Sequence, residues 1–223
     1  MLDLDVIWRN FPFLMLQGFL GIGNFVGGTL RLAIPSIVLG FVLGIFIGIA
    51  RLARAWWISV PATLYVEFFR GVPLVMVIFW IWFIIPQVLR LPVPEYGVAL
   101  TAFVIFEAAY FGEIVRAGIQ SVPRGQVEAA TALGLTGAQA MRYVVLPQAI
   151  RNMVPSLVTQ MIVLFKDTSL ASIIGYVDLT KAAQIVNNRE IRPFELYFFI
   201  AVVYFIFTYS MSRIAGRFER RLA

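Results

Sequence analysis

The chain has 223 residues, of which 61% are hydrophobic and 13% are charged. Soluble domains carry about a quarter charged residues, so this composition excludes a soluble globular protein and indicates lipid as the surrounding solvent. Cysteine and histidine are absent, which excludes disulfides, thiol nucleophiles, Cys/His zinc sites and a Ser-His-Asp triad. We expect no cofactor and, because no basic run is interleaved with aromatic residues, no nucleic-acid partner.

Five segments are apolar and long enough to cross a bilayer, which takes about 20 residues. They cover approximately residues 29–50, 71–89, 98–117, 153–175 and 194–214. The preceding stretch, residues 11–28, is apolar but is broken by Gln17, Asn24 and several glycines. It predicts an interfacial segment or an extension of the first helix. We therefore predict one transmembrane domain over residues 1–223.

The basic residues near the ends of these helices predict the orientation. With the N-terminus outside, the cytoplasmic side receives ten of them: Arg51, Arg54, Arg116, Arg124, Arg142, Arg151, Arg213, Arg217, Arg220 and Arg221. The other side receives five: Arg9, Arg90, Lys181, Arg189 and Arg192. This distribution predicts an N-out, C-in topology. No basic cluster precedes the first apolar stretch, so we expect no cleaved signal peptide.

The stretch between the third and fourth predicted helices is too polar to span the bilayer and too apolar to be a linker. It predicts two short helices. The first runs from Pro123 to Gly134, and the second begins at a capping box formed by Thr136 and Gln139 and ends before Pro147. Loops that contain their own helices are usually functional.

This stretch also contains a group of residues at characteristic spacing: Glu128, Ala129, Ala130, Gly134, Leu146 and Pro147. The pattern resembles the EAA signature of permease subunits of ATP-binding-cassette (ABC) importers, with Val144 where that signature usually has isoleucine. We call residues 122–147 the EAA loop. An ordinary interfacial helical hairpin is the alternative interpretation.

The resemblance extends from about residue 29 to the C-terminus and narrows to the permeases for polar amino acids. Two blocks, EFFRGVPLVMVIFWIWFIIP and FEAAYFGEIVRAGIQSVPRGQ, look most like the glutamate/aspartate importer permeases. Permeases for glutamine, histidine and arginine share much of both blocks, and these substrates remain alternatives. A self-contained secondary transporter is a further alternative, but the sequence shows no inverted repeat that would favour it.

The resemblance implies an all-α integral membrane protein with five transmembrane helices and the MetI-like type I importer fold, located in a bacterial inner membrane. It implies four kinds of partner besides the lipid bilayer: a cytoplasmic ATPase dimer on the EAA loop, a related but non-identical second permease, a periplasmic binding protein and an amino-acid substrate. Neither of the two lysines follows a glycine, so the chain has no P-loop. We therefore expect a non-catalytic subunit whose partner hydrolyses ATP.

Polar residues inside the predicted helices are candidates for the substrate path, because such groups commonly face a bundle interior or a water-filled route. Lys166, Asp167, Thr168 and Ser169 interrupt the fourth helix, and the corresponding stretch lines the path in the permeases that the chain resembles. A polar cluster that packs helices is the alternative. Lys166 could meet an acidic substrate, and no further acid follows Asp167 nearby, which favours an acidic or neutral amino acid.

Four further charged residues occur as two pairs, each three residues apart. Glu67 and Arg70 predict an ion pair at the cytoplasmic end of the second helix, and both are also candidates for the substrate path. Glu113 and Arg116 predict a similar pair on the third helix. Glu107 lies deeper without a local partner and predicts a hydrogen bond to another helix, with contact to the substrate as the alternative.

Overall fold

The structure, a computed structural model, describes residues 4–22, 27–90 and 92–222. These ranges are helical and contain no strand. The helices are α1 (Asp5–Pro12), α2 (Thr29–Arg51), α3 (Trp56–Gly71), α4 (Leu74–Leu89), α5 (Glu95–Gln120), α6 (Arg124–Ala132), α7 (Gly137–Ala140), α8 (Leu146–Asp167), α9 (Leu179–Glu190) and α10 (Pro193–Leu222). Helix α1 continues as a π-helical segment, Phe13–Leu20.

Four helical stretches of the described chain are long and apolar enough to cross a membrane: Thr29–Arg51, Glu95–Gln120, Gly137–Ile174 and Pro193–Arg217. A fifth crossing results if α3 and α4 count as one broken span, since their axes meet at 106°. The all-α, multi-span architecture expected from the sequence is therefore confirmed.

The second predicted span begins at residue 71, but the chain is already helical from Trp56. The break lies at Val72, whose backbone is extended with φ −113° and ψ 150°. Proline disfavours a helical conformation in the residue before it, so Pro73 ends α3 and starts α4 in a new direction. The predicted helix boundary at residue 71 is thus a bend between two helices.

Helices α2 and α5 approach each other most closely along a row of glycines. A methyl group added to Gly44 would lie 2.6 Å from the Cβ atom of Phe111, and one added to Gly48 would lie 2.6 Å from the carbonyl oxygen of Gly112. Such small residues allow two backbones to approach within a membrane. We call this contact the glycine seam. It places α5 in the centre of the fold, where it also packs against α3, α4 and α8.

The N-terminal helix, residues 5–20, is separate from α2. It ends at Gly21, which has a φ of 78°, and its residue Gly18 lies against α9, where a methyl group would come within 2.7 Å of the Cβ atom of Ala182. The alternative that residues 11–28 extend the first spanning helix is therefore wrong for the described residues 11–22 and 27–28; residues 23–26 lie outside the described residues. The π-helical segment and α9 pack together instead.

A group of buried polar residues joins the start of α2 to the start of α9. We call these residues, Gly28, Thr29, Tyr176 and Asp178, the polar crossing. The Tyr176 hydroxyl donates to the Gly28 carbonyl oxygen (2.8 Å), and the Leu179 amide donates to the Thr29 hydroxyl (3.2 Å). Asp178 caps α9 by accepting from the Lys181 amide (2.8 Å). Thr29, Tyr176 and Asp178 are at most 1% exposed, so water does not satisfy these groups.

Candidate functional site

The EAA loop is built by local signals. Gly134 follows α6 with a φ of 83°, a conformation that glycine adopts without steric cost. Thr136 then starts α7: its hydroxyl accepts from the Gln139 amide (3.4 Å), and its own amide donates to the Gln139 side chain (2.8 Å). The predicted first helix and the predicted capping box are both confirmed.

The prediction that the second helix ends before Pro147 is wrong. Helix α7 continues through a π-helical turn, Met141–Val145, into α8. Pro147 lies in the first turn of α8, where its missing amide hydrogen costs little because the preceding wide turn changes the hydrogen-bonding register. The EAA loop is therefore continuous with a helix that reaches bilayer depth.

The EAA loop carries an exposed surface. Glu128, Ala129, Gly134 and Pro147 are exposed, whereas Ala130 is 3% exposed and packs inward. Large apolar side chains are also exposed here: Leu133 by 83%, Tyr143 by 61% and Leu146 by 42%. We call this set of exposed residues the loop surface. It combines an acidic group with apolar side chains that nothing in the described chain covers.

Glu113 binds arginines from three helices. Its Oε1 and Oε2 atoms accept from Arg116 Nη2 (2.5 Å) and Nε (3.0 Å), which confirms the predicted pair on α5. Arg51 of α2 also donates to Oε2, and Arg70 of α3 lies 3.8 Å from Oε1. We call Glu113, Arg51, Arg70 and Arg116 the arginine cluster. Three positive charges and one negative charge leave a formal charge of +2.

The predicted pair between Glu67 and Arg70 is wrong. Arg70 turns toward Glu113 and lies over the ring of Tyr110 at 5.6 Å, whereas Glu67 is exposed and has no ion pair within the described residues. A half-buried carboxylate and an aromatic face attract the guanidinium more strongly than an exposed carboxylate that water solvates.

A cavity of about 360 Å³ adjoins the arginine cluster between α3, α5 and α8. It is lined by Arg70, Tyr110, Glu113, Ile114, Pro155, Ser156, Thr159 and Gln160. We call it the α5–α8 cavity. Gln160 also donates to the Oε2 atom of the fully buried Glu107 (2.9 Å), which confirms the interhelical hydrogen bond predicted for Glu107. The cavity therefore has polar groups on several helices.

The structure separates the four polar residues that interrupt the fourth predicted span. Helix α8 ends at Asp167, and a narrower 3₁₀ segment, Thr168–Ile174, follows it. Lys166 is exposed and lines a second cavity of about 360 Å³ against α10. Asp167 and Ser169 are half-buried. Thr168 is buried, and its hydroxyl donates to the Phe165 carbonyl oxygen (2.7 Å), so its hydrogen bond is made within its own helix.

The predicted site residues did not include Tyr110, Ser156, Thr159 or Gln160, which line the α5–α8 cavity. Three of these polar residues lie on α8 at helical spacing, in line with Asn152 before them and Asp167 after them. Such a repeat at every three or four positions is the signature of one helix face, and it would have predicted the cavity wall. Thr159 lines both cavities, so it connects the Arg70 region to the Lys166 region.

A bundle of apolar helices around polar cavities, with a helical loop on one side, is typical of a membrane-transport subunit. The family described as "binding-protein-dependent transport system inner membrane component" matches residues 40–223, and the chain belongs to this family. The family membership expected from the EAA signature is confirmed. The chain is therefore a multi-pass membrane permease.

Individual relatives agree with this assignment. The chain is 40% identical to the glutamate/aspartate import permease protein GltK of Escherichia coli over 87% of this chain and 90% of the relative. It is 39% identical to the probable glutamine ABC transporter permease protein GlnP of Bacillus subtilis over 86% of this chain and 89% of the relative. The crystal structure of an amino acid ABC transporter with histidines matches with a TM-score of 0.90 and 35% identity, covering 99% of both chains. The chain is a permease of an ABC amino-acid importer.

Proposed function

We propose that this chain forms the substrate path of a bacterial inner-membrane importer for glutamate and aspartate. The observation that carries the proposal is the arginine cluster beside the α5–α8 cavity, where three guanidinium groups share the single carboxylate of Glu113. An acidic amino acid has a net negative charge, and burying that charge without a cation costs several kcal/mol. Of this cluster, only Arg70 and Glu113 line the cavity. Because Arg51 and Arg116 hydrogen-bond to Glu113, Arg70 is left to supply the countercharge.

Glutamine is the second candidate substrate, supported by the 39% identity to the glutamine permease. A neutral side chain amide gains less from an excess of positive charge than a carboxylate does. Tyr110, Ser156 and Gln160 would still provide hydrogen bonds for an amide. The charge of the cavity therefore favours the acidic substrates, whereas its hydroxyl and amide groups suit both.

The substrate path passes from the Arg70 side of the cavity toward Lys166. Asp167 follows Lys166 in the chain but lines neither cavity in this conformation. Thr159 lines both cavities and joins the two regions. Thr168 and Ser169 contribute less in this conformation, since neither residue lines either cavity and the Thr168 hydroxyl is bonded to its own helix. Glu67 lines neither cavity, so its side chain does not contact the substrate in this conformation.

The loop surface receives a cytoplasmic ATPase dimer, which hydrolyses ATP for the complex. Glu128 is the fifth of the nine residues of α6, beyond its first turn, and its exposed carboxylate can pair with a basic group of the ATPase. Leu133 and Leu146 present apolar area to the same partner, with Ala129, Gly134 and Pro147 between them. Ala130 faces inward and holds α6 against the following helix.

Two further partners complete the importer: a related, non-identical permease and a periplasmic binding protein that delivers the amino acid. The N-terminus lies outside and the C-terminus inside, in agreement with the excess of basic residues on the cytoplasmic side. The loop surface is then cytoplasmic, where an ATPase is available. The polar crossing lies at the other end of the helix that continues from the EAA loop.

Uptake by the complete complex in proteoliposomes tests the substrate. Radiolabelled glutamate should enter with ATP and the binding protein, unlabelled aspartate should compete strongly, and glutamine and arginine should compete weakly. Strong competition by arginine, with none by glutamate or aspartate, would refute the acidic substrate. Uptake by this chain without an ATPase would refute the importer assignment itself.

Two groups of variants locate the path. Arg70→Gln should lower glutamate uptake about tenfold and should lower glutamine uptake less, because it removes one cation from the cavity. Arg54→Gln is the matched control, since Arg54 is exposed and lines neither cavity. Lys166→Ala and Asp167→Ala should lower uptake while the ATPase still binds. If Arg70→Gln, Lys166→Ala and Asp167→Ala all matched the wild type in uptake and in stability, the proposed path would be contradicted.

A further inference from the structure

A third cavity lies between the N-terminal helix and α9. Its volume is about 790 Å³, and it shares no residue with the two cavities of the proposed path. Much of its wall is apolar and includes Phe13, Leu16, Ile22 and Ile185, and two arginines, Arg9 and Arg189, also line it. We call it the N-terminal groove. An apolar wall of this kind suits hydrocarbon and does not suit a zwitterionic amino acid.

The two arginines lie at the same end of the groove. Arg9 donates to Glu190 (3.2 Å), and Arg189 donates to the adjacent Asn10 (3.4 Å), so these side chains connect the two helices at one level. Leu16 lies seven positions further along the helix, about 10 Å away at 1.5 Å per residue. The groove is therefore cationic at one end and apolar along its length.

Both guanidinium groups keep donors for a ligand. A guanidinium has five N–H donors, and the hydrogen bonds to Glu190 and Asn10 use few of them. The Arg9 side chain is 64% exposed, and Arg189 is also exposed. Arginine donors in such a fork bind phosphate oxygens well. The cationic end of the groove thus has the chemistry of a phosphate site.

Exposed aromatic rings near this end of the groove are typical of a membrane surface. Trp8 is 70% exposed beside Arg9, and its ring lies 5.7 Å from that of Phe11. Phe194 is 65% exposed at the start of α10. Aromatic side chains, tryptophan above all, concentrate at the level of lipid headgroups. The apolar length of the groove then extends from the headgroup level into the hydrocarbon region.

We infer that the N-terminal groove binds a phospholipid with an anionic headgroup. The phosphate lies against Arg9 and Arg189, and an acyl chain lies along Phe13, Leu16 and Ile185. A helix of the second permease fits the groove less well, because membrane helices pair through small residues, and the small residue here, Gly18, is already in contact with Ala182.

The test uses the complete importer complex, purified in detergent and depleted of lipid. Phosphatidylglycerol or phosphatidylcholine is added, and native mass spectrometry counts the lipids that remain bound. The wild type should retain phosphatidylglycerol in preference. Arg9→Gln with Arg189→Gln should lower phosphatidylglycerol binding about tenfold without changing the permease pairing. The matched control is Arg54→Gln with Arg90→Gln, which removes the same charge from two exposed arginines and should change nothing.

A second variant examines the apolar wall. Leu16→Ser should weaken phosphatidylglycerol binding although both arginines remain. Three outcomes would refute the proposal: equal binding of both lipids to the wild type, an equal loss in the Arg54/Arg90 control, or separation of the two permeases by the Arg9/Arg189 variant, which would make the groove a subunit interface.

Discussion

The polar crossing and the EAA loop lie at opposite ends of one continuous helical stretch, Gly137–Ile174, and both depend on polar caps and glycines with positive φ. Their surroundings differ. In the crossing, Thr29 and Tyr176 bond to backbone atoms of other segments and are fully or almost fully buried. In the loop, Thr136 and Gln139 bond to each other and are exposed.

The crossing is stabilised by hydrogen bonds to other segments, whereas the loop is stabilised by hydrogen bonds between its own residues. The crossing cannot open without leaving buried donors and acceptors unsatisfied, which costs about 1–3 kcal/mol for each group. The loop keeps its shape through its own capping box, so its surface is available to another protein. Substitutions in the crossing should therefore destabilise the permease more than substitutions in the loop.

The largest effect is expected from Gly28→Ala in the crossing. Gly28 has a φ of 113°, and an added methyl group would lie 2.2 Å from the Gly21 Cα atom. Both the backbone conformation and the contact oppose the change, and we expect a loss of about 4 kcal/mol or more. Thermal unfolding of the detergent-solubilised protein measures it. Gly125→Ala is the control, since a methyl group there meets nothing within 4 Å. Equal melting temperatures for both variants would contradict the rigidity of the crossing.

The second effect is a pH dependence from Asp178. Burial raises the pKa of this carboxyl from 3.8 to about 6, against the opposing hydrogen bonds from Lys181, Thr180 and Tyr204. Because the pKa of Asp178 is higher in the folded protein than in the unfolded chain, ionisation of this carboxyl destabilises the fold. The free energy of unfolding is therefore highest below pH 3.8 and falls as the pH rises through about 6. The loss is about 3 kcal/mol at 1.36 kcal/mol per pH unit.

Asp178→Asn checks this assignment. Asparagine also caps helices well but does not ionise, so the variant should lose the part of the pH dependence that falls between pH 4 and pH 7. Melting temperatures of the wild type and the variant, measured across that range, provide the comparison. Parallel pH profiles would show that Asp178 does not titrate there.

A smaller effect is expected from Gly134→Ala in the EAA loop. Its φ of 83° costs an alanine about 1–2 kcal/mol, but no atom lies within 4 Å of an added methyl group. The variant should therefore fold and insert normally, whereas ATP-driven uptake should fall because the loop surface changes shape. A melting temperature as low as that of Gly28→Ala would show that the loop is as constrained as the crossing.

The smallest effect on stability is expected from Glu128→Ala, since this exposed residue has no ion pair in the part of the chain that the structure describes. Its melting temperature should match that of the wild type. Uptake should fall about tenfold if the carboxylate pairs with the ATPase, an interaction of the strength typical for a charged hydrogen bond. Co-purification of the ATPase and uptake in proteoliposomes measure it. Normal uptake and normal association would refute the proposed coupling role.

The features that were predicted correctly from the sequence are those set by residues close together in the chain. The capping box of Thr136 and Gln139 and the stop at Gly134 depend on neighbours in the chain, and both are present in the structure. A hydrogen bond from Glu107 to another helix was predicted, but the partner was not identified. The partner, Gln160, lies 53 positions away in the chain. No local rule identifies such a partner.

The wrong predictions also rested on local rules, which do not take the rest of the fold into account. Spacing of three residues suggested that Arg70 pairs with Glu67, but the structure gives Arg70 a carboxylate on another helix. Pro147 was expected to end a helix, but a π-helical turn precedes it and the helix continues through Pro147. The helical segment before residue 71 was missed as part of a span because Pro61, Glu67 and Arg70 lower its apolar character.

The glycine seam has a consequence for how one subunit can move. Dispersion attraction falls steeply with separation, and the close contacts of Gly44 and Gly48 with Phe111 and Gly112 would all be lost if α2 and α5 parted. We therefore expect these two helices to move as a single body in a transport cycle. The α5–α8 side, which contains a cavity, has fewer such contacts to lose. We expect alternating access within this chain to be a one-sided motion, in which the α2 side stays fixed relative to α5 and the α8 side moves.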